Sequence, residues 1–242
     1  MAERIAKMLA ARGVASRRGV EALIAEGRVR VNGAVVTTPA TLLDGTEYIT
    51  VDNAVVAGSA LPLKLYRFHK PKGCLTTEKD PEGRKTIYDL LPPDLPRLQP
   101  IGRLDYNSEG LLLMTTSGGL KRFFELPKNA LERCYRVRVH GRVEPEALES
   151  LKEGITIDGV RYEPILAEFE RQQGANAWLN FTLHEGKNRE IRKVCEALGY
   201  TVNRLIRTRY GGFSLGTLPI GGFAEVHRKI IEELMPESLE GL

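Results

Sequence analysis

Asn32-Gly33, set between the alternating runs RVRV and AVV, is the feature that most limits what this chain can become. The pair accepts positive φ at both central positions of a type I′ turn, whose twist matches two antiparallel strands. ITIDGVRY predicts a second hairpin, and LYRFHK, RCYRVRVH and WLNFTLH read as further alternating strands. Helical spacing recurs between them: from about Leu120 to Leu126, from Pro145 to Gly154, over KNREIRKVCEALG, and from Val226 to Leu234. Strands around GGFSLGTLPI are expected near the end. Antiparallel strands mixed with helices specify an α+β fold. That pattern differs from a parallel nucleotide-binding sheet, and with neither GxGxxG after a strand nor GxxxxGK[ST] a nucleotide-binding enzyme has little support, so no nucleotide cofactor is expected.

The first 60 residues form a unit of their own. Ile5, Met8 and Leu9 recur at helical spacing, and Gly13 is placed to stop that helix. Ser16 caps a second helix with Val20, Leu23 and Ile24 on its inner stripe, and Gly27 ends it before the Asn-Gly hairpin. The small, uncharged run NAVVAGSALPL at 53–63 is the expected junction, which divides the chain into 1–60 and 61–242. The net charge is only +4, but residues 1–36 hold seven basic against three acidic side chains, and residues 185–209 do the same. Two basic regions in a balanced chain fit a polyanion held at two places.

Other classes fall away on composition. Three cysteines, Cys74, Cys134 and Cys195, are odd in number and widely spaced, which fits free thiols in a reducing cytoplasm. No apolar run approaches the ~20 residues of a membrane helix. The Ala- and Arg-rich start imitates a transit peptide but runs straight into the helical module. Asp105 to Gly110 imitates an EF-hand loop, yet Thr116 stands where a bidentate Glu is needed, and the four histidines lack ligand spacing. No metal is expected.

SRRGVEALIAEGRVRVNG, within about residues 3 to 60, resembles the S4 RNA-binding module, with Arg17, Arg18 and Arg28 as the RNA contacts that the likeness implies. Taken by residue type alone, Asp105 before a tight turn reads as an Asx turn capping backbone amides. GRLDYNSEGLLLMTTSGGL, however, resembles the GRLD motif of the RsuA/RluB family of ribosomal-RNA pseudouridine synthases, where the aspartate is the nucleophile. CYRVRVHG is similar to the motif whose tyrosine packs on the target base, which implies that role for Tyr135. Alternation sends Tyr135, Val137 and Val139 to one face and Arg136, Arg138 and His140 to the other.

EGKNREIRKVCEALGY resembles the EGxxxQIR motif, with Glu190 where the family commonly has Gln. The likeness makes Arg192 the cation paired with Asp105, and Lys187, Asn188 and Arg189 contacts to RNA. Helical spacing buries Ile191, Val194, Cys195 and Leu198, and groups Arg189, Arg192 and Lys193 on another side. Arg103, two residues from Asp105 in extended backbone, shares its face and is suited to fill the gap left by a flipped base.

VNRLIRTRYGGFSLGTLP resembles the large-subunit branch, so the implied substrate is 23S ribosomal RNA. In the family the aspartate attacks C6 of the base or C1′ of the sugar, or assists elimination, without a cofactor. A small-subunit (16S) synthase and a non-catalytic RNA-binding assembly factor are the alternatives. The second explains both basic regions but not the ordered occurrence of Asp105, Tyr135 and Arg192.

Overall fold

The computed structural model describes residues 2–239. The chain divides into two compact units: residues through Lys64 with Pro93–Gln99 and Thr115–Gly118, and Leu65–Pro92 with Pro100–Met114 and residues from Gly119 onward. The ends of the expected 1–60 and 61–242 segments, Met1 and residues 240–242, lie outside the described residues.

In the first unit, β1 (Glu3–Arg4) leads into α1 (Ile5–Ala11) and α2 (Arg17–Ala25), followed by β2 (Val29–Val31), β3 (Ala34–Val35), β4 (Leu42–Leu43), β5 (Ile49–Val51) and β6 (Ala54–Val55). Ile5, Met8 and Leu9 of α1 pack with Val20 and Ile24 of α2 and Val29 and Ile49 of the sheet. The Ser16 Oγ accepts the Gly19 N–H at 3.1 Å, a cap contributing about 1 kcal/mol. Asn32 and Gly33 both take positive φ, 49° and 86°, as the hairpin requires. The four-stranded order is β3-β2-β5-β6, and β1 pairs with β4.

The run 53–63, expected as the junction, begins inside this sheet, because Ala54 and Val55 form its last strand. Asp52 and Asn53 both adopt positive φ, 50° and 65°, making a second tight turn ahead of it. A two-residue strand of small side chains carries no alternation that would have marked it.

The second unit begins with β7 (Leu65–Lys70) and holds β8 (Gln99–Ile101), β9 (Glu109–Thr115) and α3 (Gly118–Glu125), except for the end residues Gln99, Thr115 and Gly118 that belong to the first, followed by β10 (Arg133–His140). It continues through α4 (Pro145–Glu149), β11 (Ile155–Ile157), β12 (Val160–Tyr162), β13 (Leu166–Gln173), β14 (Asn176–Leu183), α5 (Glu190–Ala197) and β15 (Thr201–Tyr210), and closes with β16 (Phe213–Ser214), β17 (Phe223–Val226) and α6 (Arg228–Leu234). The main sheet runs β13-β14-β10-β15-β9-β7-β17, with β16 beside β15 and β8 beside β9.

β13/β14, β14/β10, β10/β15 and β7/β17 pair antiparallel, whereas β15 and β9 are parallel. Val137, Val139, Leu179, Phe181 and Leu205 pack from the sheet against Ile191, Val194 and Cys195 of α5. The architecture is α+β, as the hairpin patterns require.

β9 is buried along its whole length and lies against β15. Gly110 permits this: its φ is +108°, and a Cβ there would collide with the backbone of Arg207.

Candidate active site

Asp105 sits on the turn between β8 and β9. Gly102 turns the chain at φ +67°, buried Leu104 anchors it, and the Thr76 hydroxyl donates to the Leu104 carbonyl at 2.8 Å. The turn is closed by main chain, with the Ser108 N–H donating to the Asp105 carbonyl at 3.0 Å. Lys70, fully buried at the end of β7, adds its ammonium to the same loop. It donates to the carbonyls of Asp105 at 3.0 Å, Ser108 at 2.9 Å and Pro71 at 3.1 Å.

Burial pushes the Lys70 amine below the ordinary lysine range, while the Asp105 charge pulls it back. The Asx turn, in which the Asp105 side chain would cap amides, is not formed. Among the described residues no protein group hydrogen-bonds or ion-pairs with the Asp105 carboxylate. A fixed backbone thus presents a carboxyl group that no other described residue engages.

Asp105 lines a cleft of about 770 Å³. Arg103, Tyr135, Lys187, Asn188 and Arg189, all anticipated from sequence, line it too. Tyr135 is half-buried near the start of β10 and packs on the core, in line with the alternation of that strand. Arg103 is exposed. Lys187 forms an ion pair with Glu185 and lies 5.6 Å from the Tyr162 ring centre. Arg189, just ahead of α5, holds left-handed φ/ψ of 53° and 28°, an unusual conformation for a side chain of its size.

Arg192 is placed differently from the expected ion pair. Its Nη2 donates to the Asn107 carbonyl at 3.0 Å and its Nη1 to the Val202 carbonyl at 3.2 Å. It grips the Asp105 turn through main chain, near enough to feel the carboxylate charge, without an ion pair to it. Burial, reinforced by Arg189, lowers its pKa.

The basic run 185–209 is also less free than its sequence implies. Arg204 pairs with buried Glu109, and Arg209 with Glu132. In the other unit, Arg17 and Arg18 are exposed, whereas Arg28 is held by Asp52 at 2.7 and 2.5 Å and by Glu26 at 2.8 Å.

Sequence reasoning assigned no role to three groups around Asp105, although it had noted Glu190 as a departure from its motif. Lys70 looked like a strand end. Glu190, only 4% exposed, lines the cleft and accepts the Lys187 N–H at 2.9 Å; burial and the neighbouring Glu185 raise its pKa to about 7. Arg207, 2% exposed, lines the cleft from β15. A buried arginine on an apolar strand face breaks the alternation that would have revealed both strand and residue.

Residues 64–197 match the family model for RNA pseudouridylate synthase, and residues 3–47 that for the S4 domain. An uncharacterized RNA pseudouridine synthase of Rickettsia felis is 44% identical over 96% of this chain and 100% of its own. The ribosomal large subunit pseudouridine synthase B of Yersinia pestis is 38% identical over 95% of this chain and 74% of its own. A pseudouridylate synthase crystal structure superposes with a TM-score of 0.67 at 26% identity, covering 96% of this chain and 99% of that one.

Proposed function

We propose, from the premise that this chain belongs to the RNA pseudouridylate synthase family, that it converts a uridine of 23S ribosomal RNA to pseudouridine with Asp105 as nucleophile. That it is an RNA pseudouridine synthase with an S4 domain follows from the family; the target and the residue roles are our reading. The observation that carries the Asp105 assignment is a carboxylate without a partner among the described residues, on a loop whose carbonyls are clamped by Lys70. Each route open to such an enzyme, addition at C6, attack at C1′ or assisted elimination, needs an ionised, uncommitted carboxylate at the base.

In this reading the target uridine leaves its stack at a cost of a few kcal/mol. Stacking on Tyr135 returns ~1–3 kcal/mol, and exposed Arg103 enters the space left behind. Arg192 acts as a brace that holds the Asn107 carbonyl, and so the Asp105 turn, in place. Lys187, Asn188 and Arg189 meet the RNA backbone at the cleft, and Arg17 and Arg18 meet it in the 1–60 module, with 61–242 as the catalytic segment. Arg28, neutralised by Asp52 and Glu26, serves that module's structure more than its grip. The free thiols of Cys74, Cys134 and Cys195 suit a reducing cytoplasm.

The large-subunit target is supported by relatives named as large-subunit synthases across nearly the whole chain. Pseudouridine mapping in ribosomal RNA from cells lacking the protein tests it: one site should vanish from 23S RNA and return with wild-type protein but not with Asp105→Asn. Loss from 16S RNA instead would reassign the substrate, and restoration by Asp105→Asn would end the nucleophile assignment.

A further inference from the structure

We propose that Arg207 is a further catalytic residue, whose guanidinium donates to a carbonyl oxygen of the flipped uracil and holds the negative charge that the base acquires during the reaction. The inference rests on the reading of Asp105 and Tyr135 given above and deepens it.

Six buried side-chain polar atoms among the described residues have no hydrogen-bond partner, and three of them, Ser108 Oγ, Glu190 Oε1 and Arg207 Nη2, belong to residues that line the Asp105 cleft, just beneath its surface. Such clustering marks a surface awaiting polar atoms from outside, since stray buried polar groups are costly anywhere. Arg207 is the most demanding of the three, a cation only 2% exposed that forms no ion pair among the described residues. Its Nε donates to the Leu111 carbonyl at 2.8 Å, and its guanidinium lies 5.1 Å from the Tyr210 ring centre. These interactions hold the group before any ligand arrives, which is the condition for electrostatic catalysis.

Register identifies the ligand atom. Arg207 on β15 is the cross-strand partner of Tyr135 on β10, so the two side chains share a face. A base stacked on Tyr135 therefore has its edge beside Arg207. A phosphate would have to bring its charge and hydration into an almost closed position, whereas a planar carbonyl oxygen needs only one donor.

The electron flow requires such a donor. When the C1′–N1 bond breaks, its electron pair passes to N1 and spreads onto O2 and O4 of the uracil. Addition of the Asp105 carboxylate to C6 likewise drives a pair onto O4. In both cases N1–C1′ breaks, C1′–C5 forms and the C5 proton is lost as N1 gains one; on the addition route the C6–O bond to Asp105 then breaks as well, which restores the 5,6 double bond and frees the carboxylate. Arg207 supplies only field and hydrogen bond.

Single-turnover rates on a ribosomal-RNA fragment bearing the mapped uridine, natural or with sulfur in place of O2 or of O4, test this. Sulfur is a poor acceptor. We expect Arg207→Met to slow turnover by about 100- to 1,000-fold, with RNA affinity changed by less than about threefold. One of the two sulfur substitutions should slow wild-type enzyme but add little to the Arg207→Met defect, and Arg207→Lys should fall between. Equal slowing of wild type and variant by both substitutions would overturn the proposal, as would a loss confined to affinity and its salt dependence, the mark of a phosphate contact. If Arg207→Met does not fold, the same comparison is made with Arg207→Lys. Asp105→Asn runs alongside: activity in that variant sinks the parent reading, whereas its silence combined with additive sulfur effects sinks Arg207 alone.

Discussion

At Tyr135 the ring and the hydroxyl can be separated. Tyr135→Phe keeps the stacking face and Tyr135→Ala removes it, so if the ring holds the flipped base, Ala should cost at least about tenfold more in single-turnover rate than Phe, the worth of ~1–3 kcal/mol of stacking. Equal losses would transfer the role to the hydroxyl. Glu190 offers a second test at this scale. Its folded-state pKa of about 7 lies above the ordinary glutamate value, so the folded protein binds the proton more tightly than the unfolded chain. Stability is therefore greatest below the usual glutamate range, falls as pH climbs through 7, and stays reduced above it. Glu190→Gln should remove that slope and raise stability at pH 8 by about 1–3 kcal/mol, read from urea unfolding at several pH values. An unchanged slope would show that Glu190 ionises freely in the folded state.

At the scale of elements, the approach of β9 to β15 depends on one residue without a side chain. Gly110→Ala meets both a disfavoured φ and the Arg207 backbone, so it should cost more than about 2 kcal/mol and depress activity even in the fraction that stays folded. A midpoint within error of wild type would mean that the two strands can move apart freely. Ser16→Ala, by contrast, should cost only about 1 kcal/mol and leave the catalytic rate alone, because it removes one cap in the other unit. The two also divide what could be read in advance. Ser16, Asn32-Gly33 and the stripes of α1 and α2 were legible because caps, turns and helical spacing act within a few residues. β13 was missed because it is a largely exposed strand with only Ala167 buried, so it shows no alternation. β15 was missed because Arg207 occupies one of its inner positions. Asp105 and Tyr135 were found through resemblance; their meeting in one cleft, and the additions of Lys70, Glu190 and Arg207, depend on pairings between distant strands that no local pattern encodes.

For the whole molecule, binding and chemistry should separate by mutation. Replacing exposed Arg17 and Arg18 together by Ala in the full chain should weaken binding to structured ribosomal RNA. The slope of log K against log salt should fall by about 0.7–0.9 for each phosphate that is no longer neutralised. The single-turnover rate at saturating RNA should hold. An unchanged slope would remove both residues from the interface. The parallel pairing of β15 with β9 sets the order of events as the chain is made. Ile206 and Glu109 stand opposite each other though nearly a hundred residues separate them, and closing so long a loop is slow compared with forming any hairpin in the chain. The Asp105 turn has left the ribosome well before Arg207 exists, so a nascent chain holds the proposed nucleophile without the strand that completes its surroundings. Activity should therefore arise only after β15 has been made and has joined β9, so an enzyme built this way does not modify RNA while that strand is still missing.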